Sequence, residues 1–388
     1  MRQKFDFRIY TEVMKEVDGK YYFPLLCQNG ICRYDFQTNH CEFLTQFPHW
    51  IEKGGALYGR MAVAEEKIIF CPQNTLNICS YNILSNCAEE IVPAALLDNE
   101  YKVSKNGFFL DAFIWKDNAF FVPFNYQAIV KVNLATKEVS YIRDWIDEID
   151  HRVEQGHFHG YFGRSIQSDN IIVMPCTSAD AIMLFDMDTM EHNMVPLHSG
   201  IHGFWCVAQD DEYYWLSPYE CEEGVRYRIQ GGASLRIHMP AKIQYPGAPF
   251  HEATIVGDWV FFMPARGNHV WRVNRLTGEA VIAQDFEWIF HVDYEGFSRG
   301  WYATFSPGVY ENKLFFITGK NGTWHFYDAL TGQFDDFNVY IDDQIGLKLL
   351  GEMLSGDKQP LFWGENIQFD LMDYLHFLPS YRGKYYGE

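Results

Sequence analysis

Several things are scarce in this 388-residue chain, and each scarcity removes a class of function. Positive charge is short: 31 Lys and Arg stand against 51 Asp and Glu, a formal net charge of −20. No run of Lys or Arg is longer than two. A surface of that sign repels phosphate backbones and anionic lipid, so neither nucleic acid nor membrane is an expected partner. No apolar run approaches the roughly 20 residues that a bilayer-spanning helix needs. The opening "MRQKFDFRIYTEVMKEV" has no apolar core followed by small residues, so a cleavable secretory leader is not expected. The nine cysteines include no CxxC pair and no two at zinc-ligand spacing, and several fall in predicted strands, where a thiol behaves as a small hydrophobe. Reduced thiols in a cytoplasmic protein are the expectation.

Catalytic signatures are also missing. There is no GxSxG elbow and no HExxH. "GKNGTW" lacks the rest of a phosphate loop, and "GYFGR" holds two glycines ahead of a strand, not a helix. Asn321-Gly322-Thr323 matches a glycosylation acceptor but reads as a loop tip.

What is abundant is apolar and aromatic: 48% hydrophobic residues, 17% Phe, Trp and Tyr, and only 21% charged. That is a folded chain rich in residues that favour pleated surfaces. It is also repetitive. "FFVPFNYQAIVKVNLATKEV" from Phe120 is echoed by "VFFMPARGNHVWRVNRLTGEA" from Val260. The Pro that ends the aromatic run recurs at Pro24, Pro72, Pro123, Pro175, Pro218 and Pro264, with Thr318 in the seventh place, a period near 49 residues. About ten residues later an Asp or Asn closes the next strand, at Asp35, Asn82, Asn133, Asp186, Asn274 and Asp328; a degenerate fifth copy, "CEEGVRYRIQGGASLRI", lacks it.

Each copy parses into four short strands, with turn formers between the first and second and between the third and fourth. Pro at the end of a second strand suits a chain leaving its sheet, because Pro cannot donate to a ladder. Seven such units predict an all-β fold, a seven-bladed β-propeller of four-stranded antiparallel blades with a short C-terminal helical tail. Six blades with an added domain is the alternative count, and a β-sandwich the alternative fold. The pattern resembles the β-propeller superfamily, nearest to kelch-like and TolB-like repeats, over roughly residues 7 to 342. The resemblance is architectural and implies no function.

The expected organisation is a propeller over 1–342, with blades at about 7–50, 56–92, 107–145, 158–197, 201–240, 249–288 and 301–342, and an extension over 343–388. Phe7 to Lys15 is expected to give the first blade its own inner strand, so that closure borrows nothing from the C-terminus. Ile142, Trp145, Ile146, Ile149 and Val153 predict a short helix before the fourth blade; Ile367, Leu371, Tyr374, Leu375 and Leu378 predict one in the tail.

A ligand is expected where the loops leading into the first strands meet the loops between second and third strands, around the axis. Aligning the copies gives one position per blade facing the axis: Glu12, Arg60, Asp111, Gly163, Trp205, Glu252 and Phe305. These charges want pairing or water. They form either a ring of salt bridges around a wet channel or a site holding a polar ligand by Arg60 between Asp111 and Glu252. The lead-in loops add His159, Arg164, His202, His251, Trp301 and Tyr302. Three histidines from consecutive blades could ligate a metal if they converged, but no metal or other cofactor is expected. The mixture also suits a sugar, with Trp and Tyr under its apolar faces. In a lyase, Arg60 or Arg164 would neutralise a uronic carboxylate while His159, His202, His251 or Tyr302 takes the proton beside it. The first expectation is a non-catalytic platform for a protein or peptide. A carbohydrate-active enzyme, and a protein binding an oligosaccharide or small molecule without turnover, are the alternatives.

Overall fold

The computed structural model describes residues 7–349 apart from 9–10, 26–28, 49–56, 105–106, 154–157, 240–248, 266–268, 287–303, 319–322 and the single positions 338, 343 and 347. Seven four-stranded antiparallel sheets follow one another along the chain, each built from consecutive strands. Their second strands are Lys20–Pro24, Lys67–Pro72, Asn118–Pro123, Ile171–Pro175, Tyr213–Pro218, Trp259–Pro264 and Lys313–Thr318. The recurring Pro, or Thr318, therefore ends the second strand of every blade, as its missing donor predicts. The fold is a seven-bladed β-propeller.

Two kinds of hairpin turn shape each blade. Between first and second strands the chain takes left-handed residues, such as Asp18 (φ 51°) and Gly19 (φ 74°) in the first blade and Glu311 (φ 46°) and Asn312 (φ 67°) in the seventh. Consecutive positive φ values are what a tight hairpin matched to strand twist requires. Between third and fourth strands the recurring Asp or Asn accepts backbone N–H bonds from the turn. Asp35 takes Gln37 and Thr38, Asn133 takes Ala135 and Thr136, Asn274 takes Leu276 and Thr277, and Asp328 takes Leu330 and Thr331, at 2.9 to 3.3 Å. Asp186 does the same for Asp188 and Thr189. In the fifth blade Arg228 stands at this place and the turn instead uses Gly231 (φ 100°) and Gly232 (φ 67°).

The core lies between blades. The short helix Ile146–Asp150 forms where the 3.6-residue pattern predicts, with Trp145 and Ile149 fully buried against Phe162 and Met174 of the fourth blade. The inner strand of the first blade is Lys15–Val17, shorter and later than the expected Phe7 to Lys15. Phe7–Arg8 instead pairs antiparallel with Tyr340–Ile341. Among the described residues, as expected, closure borrows no strand for any blade. The seam between the first and seventh blades is packed with rings: Phe36 lies 4.7 Å from Tyr21 and from Tyr310 and 4.6 Å from Phe326, and Trp324 lies 5.2 Å from Tyr34. The Phe36 pairs with Tyr21 and Phe326 are edge-to-face, an arrangement that contributes about 0.5–1.5 kcal/mol per pair beyond its area.

The expected tail helix over Ile367 to Leu378, together with Trp301 and Tyr302, lies outside the described residues. No helix among the described residues is long and apolar enough to cross a membrane.

Candidate functional site

The inner strands come close enough at the axis to touch. Arg164 donates its backbone N–H to Trp205 O at 2.6 Å, and Val207 donates to Arg164 O at 3.3 Å, a parallel bridge between the fourth and fifth blades. Gly163 makes this approach possible: a Cβ there would lie 1.9 Å from Trp205 O. The axial position of the fourth blade is a glycine because the neighbouring backbone occupies the space of a side chain.

Into this narrow centre five blades send charge. Arg164 Nη2 lies 3.2 Å from Glu12 Oε1 of the first blade, and Nη1 lies 3.8 Å from Asp111 Oδ1 of the third. The same Nη1 donates to Leu110 O at 3.0 Å. Arg60 of the second blade sets Nε 3.4 Å from Asp111 Oδ1, pairs with Glu252 of the sixth, and donates to Ser165 O at 3.1 Å. His251 Nε2 lies 3.8 Å from Glu12 Oε1. The side chains of Asp111 and Arg164 are 0% and 2% exposed, so this network is interior rather than solvent-lined at those two residues.

Burial and pairing push its pKa values in different directions. Burial lifts the Asp111 carboxyl above its ordinary range, although Arg60, Arg164 and the Ser165 N–H at 2.7 Å pull the other way. Burial also opposes ionisation of Glu12, but the His251 ring and the Arg164 charge outweigh it and its pKa ends below the ordinary value. Burial holds His251 below the usual imidazole range despite Glu12 beside it. The Arg60 charge is disfavoured by burial and more than restored by Glu252 and Asp111.

The structure thus brings together Arg60, Asp111, Arg164 and Glu252 as ion-paired partners, with the His251 ring beside them against Glu12. Asp111 joins the two arginines, and Glu12 joins Arg164 to His251. The other histidines have separate surroundings. His159 stacks on Tyr219 of the fifth blade at 4.8 Å and pairs with Glu220 at 3.1 Å. His202 is exposed in the loop leading into the fifth blade. Trp205 is buried, its ring 5.6 Å from Phe124 and 5.8 Å from Tyr219. Tyr219 and Glu220 are residues the sequence reading missed. Their signal was the loop "SPYECE" after the fifth second strand, which meets the lead-in loop of the blade before it. No group of three or more His, Cys, Asp or Glu among the described residues is disposed to hold a metal ion.

Toward the hairpin-turn face the axis opens into a cavity of about 270 Å³. Glu12, Arg60 and Glu252 bound it on the network side; Met14, Lys15, Glu16, Tyr21, Met61, Val309 and Phe315 are further wall residues. None of those seven was singled out from sequence.

No protein-family model matches the chain, and no curated protein matches it. Among solved structures it is similar to virginiamycin B lyase from Staphylococcus aureus, at TM-score 0.58 and 12% identity over 82% of this chain and 95% of that one. A streptogramin B lyase gives TM-score 0.55 at 16% identity, covering 84% and 93%. A chain of a mitotic checkpoint complex gives 0.52 at 8% identity, covering 88% and 94%. At such identities the likeness is one of architecture, and what these comparisons establish together with the strand topology is the ring itself: this chain is built as a seven-bladed β-propeller.

Proposed function

We propose that this propeller is a non-catalytic platform whose loop face binds a protein or peptide. The observation that carries the reading is the fate of the residues a lyase would need. Arg164, which would neutralise a substrate carboxylate, is 2% exposed and committed to Glu12 and Asp111. His159, one of the residues that would take the proton, is stacked on Tyr219 and lies 3.1 Å from Glu220 of the neighbouring blade. An acid–base pair must reach its substrate to act.

The same arrangement leaves an aromatic patch on the loop face. Phe158 is 38% exposed with its ring 5.0 Å from buried Tyr161, next to His159 on Tyr219. Half-exposed aromatics on a rigid frame, rimmed here by Glu220, are the usual anchors of protein interfaces. Burial pushes the Cys176 and Cys206 thiols up to about 12, which suits structural rather than redox use.

A photo-crosslinking residue at position 158, and a control at Leu276 on the hairpin-turn face, test the reading in living cells. The expected result is a discrete adduct from position 158, lost in a Tyr219→Ser background and absent from 276. The carbohydrate-lyase alternative takes over if uronic-acid oligosaccharides are turned over to unsaturated products and His159→Ala abolishes that turnover.

A further inference from the structure

The cavity on the hairpin-turn side of the axis is a second place, on the face opposite the aromatic patch. Its wall residues divide by what they already contact. Glu12 is taken by Arg164 at 3.2 Å, and Glu252 by Arg60. Glu16 accepts the Gly19 N–H of its own turn at 2.6 Å. Arg60 has Asp111 as well as Glu252. Lys15 is different: it is half-buried, it stands close enough to Arg60 for the two charges to repel, the Glu16 charge offsets this only in part, and among the described residues no carboxylate oxygen lies within ion-pair distance of its ammonium. Burial first, and then Arg60, hold its pKa below the ordinary lysine range. A half-buried cation beside a second cation is unfavourable until an anion joins them.

Size and lining restrict that anion. At about 30 Å³ per water, 270 Å³ holds about nine water volumes. That is room for a small molecule. Met14, Met61, Val309 and Phe315 add apolar wall beside the charged one. We propose that the axial cavity binds a small organic carboxylate, with Lys15 as its counter-charge and the Met14, Met61, Val309 and Phe315 wall receiving its apolar part. The site does not depend on the loop-face reading, since Lys15 contacts none of the residues of that patch.

Thermal shift and calorimetry of the full chain with acetate, hexanoate, benzoate and 3-phenylpropionate, each beside its neutral amide, test the proposal. The expected result is stabilisation by one or more of the larger acids and by none of the amides. Lys15→Gln should weaken that binding about tenfold or more, while Lys15→Arg retains most of it. Removing the unmatched charge should also raise the melting temperature of the unliganded protein by about 1–2 °C, whereas a lysine of purely structural use would lower it when replaced. Equal shifts from acids and amides, a flat response across the series, or acid binding unchanged in Lys15→Gln would each overturn the assignment. A Lys15→Gln protein that melts lower without ligand would overturn it as well.

Discussion

The rim and the axis of this propeller solve the same problem, satisfying polar groups inside a β-fold, in opposite ways. At the outer turns a carboxylate or amide accepts two N–H groups within three residues of itself, and this is repeated at Asp35, Asn133, Asp186, Asn274 and Asp328. At the axis the charged groups find their partners on other blades: Arg164 on the first and third, Arg60 on the third and sixth. Local solutions can be copied along a chain because each blade carries its own partners. Non-local ones cannot, since an arginine in all seven blades would find only other arginines. Repetition therefore marks what a blade does for itself, and variation marks what the blades do for one another.

The sharpest way to break that contrast is Arg164→Met, which leaves Glu12 and Asp111 buried without their shared cation. Loss of one partner from a buried network costs about 3–5 kcal/mol, read as a shift in the denaturation midpoint at unchanged slope. A loss below about 1 kcal/mol would mean that the axis is wetter than its burial implies.

Next in size is a pH effect. His251 faces Glu12, Glu252 and Arg164, and its folded pKa is depressed. As pH falls below about 6.5, the unfolded imidazole gains a proton that the folded one refuses, so stability declines until the folded pKa is reached. His251→Gln should flatten that decline in melting temperature between pH 6.5 and 5. The raised Asp111 carboxyl acts with the opposite sign: its contribution is present at low pH and lost as pH rises through its folded value.

At the rim, Asn133→Ala should cost about 1 kcal/mol, as loss of a side-chain acceptor from a single turn. The smallest effect belongs to Asp328→Asn. Hydrogen bonds from the N–H groups of Leu330 and Thr331 hold the Asp328 carboxyl below its ordinary range. Its contribution is complete above the unfolded carboxylate value and fades as pH falls through the folded one. The Asn variant should match the parent at neutral pH and hold its melting temperature better in acid.

The same contrast explains what could be read from the residues alone. The second-strand prolines, the turn Asp and Asn residues and the helix around Trp145 and Ile149 follow from local rules, and the structure has them where the spacing puts them. That Arg60 lies between Asp111 and Glu252 followed from aligning the blades, because equivalent positions face one axis. Glu12 appeared in the same alignment, but nothing local marked it as the group joining Arg164 to His251. Lys15 was invisible because its environment comes from Met61 and Arg60 on another blade. His159 sits in a suggestive loop, yet its partners Tyr219 and Glu220 are about sixty residues downstream in the chain, where no local pattern connects them.

The pairing of Phe7–Arg8 with Tyr340–Ile341 has a topological consequence. Paired strands lie about 5 Å apart, so the two ends of the ring are already neighbours. With each four-stranded sheet made only of consecutive strands, the chain could be rejoined at that clasp and reopened between any two blades without dividing a blade. The order in which the blades are synthesised is thus separable from the circle they form, and the aromatic seam between the seventh and the first would become an ordinary internal junction.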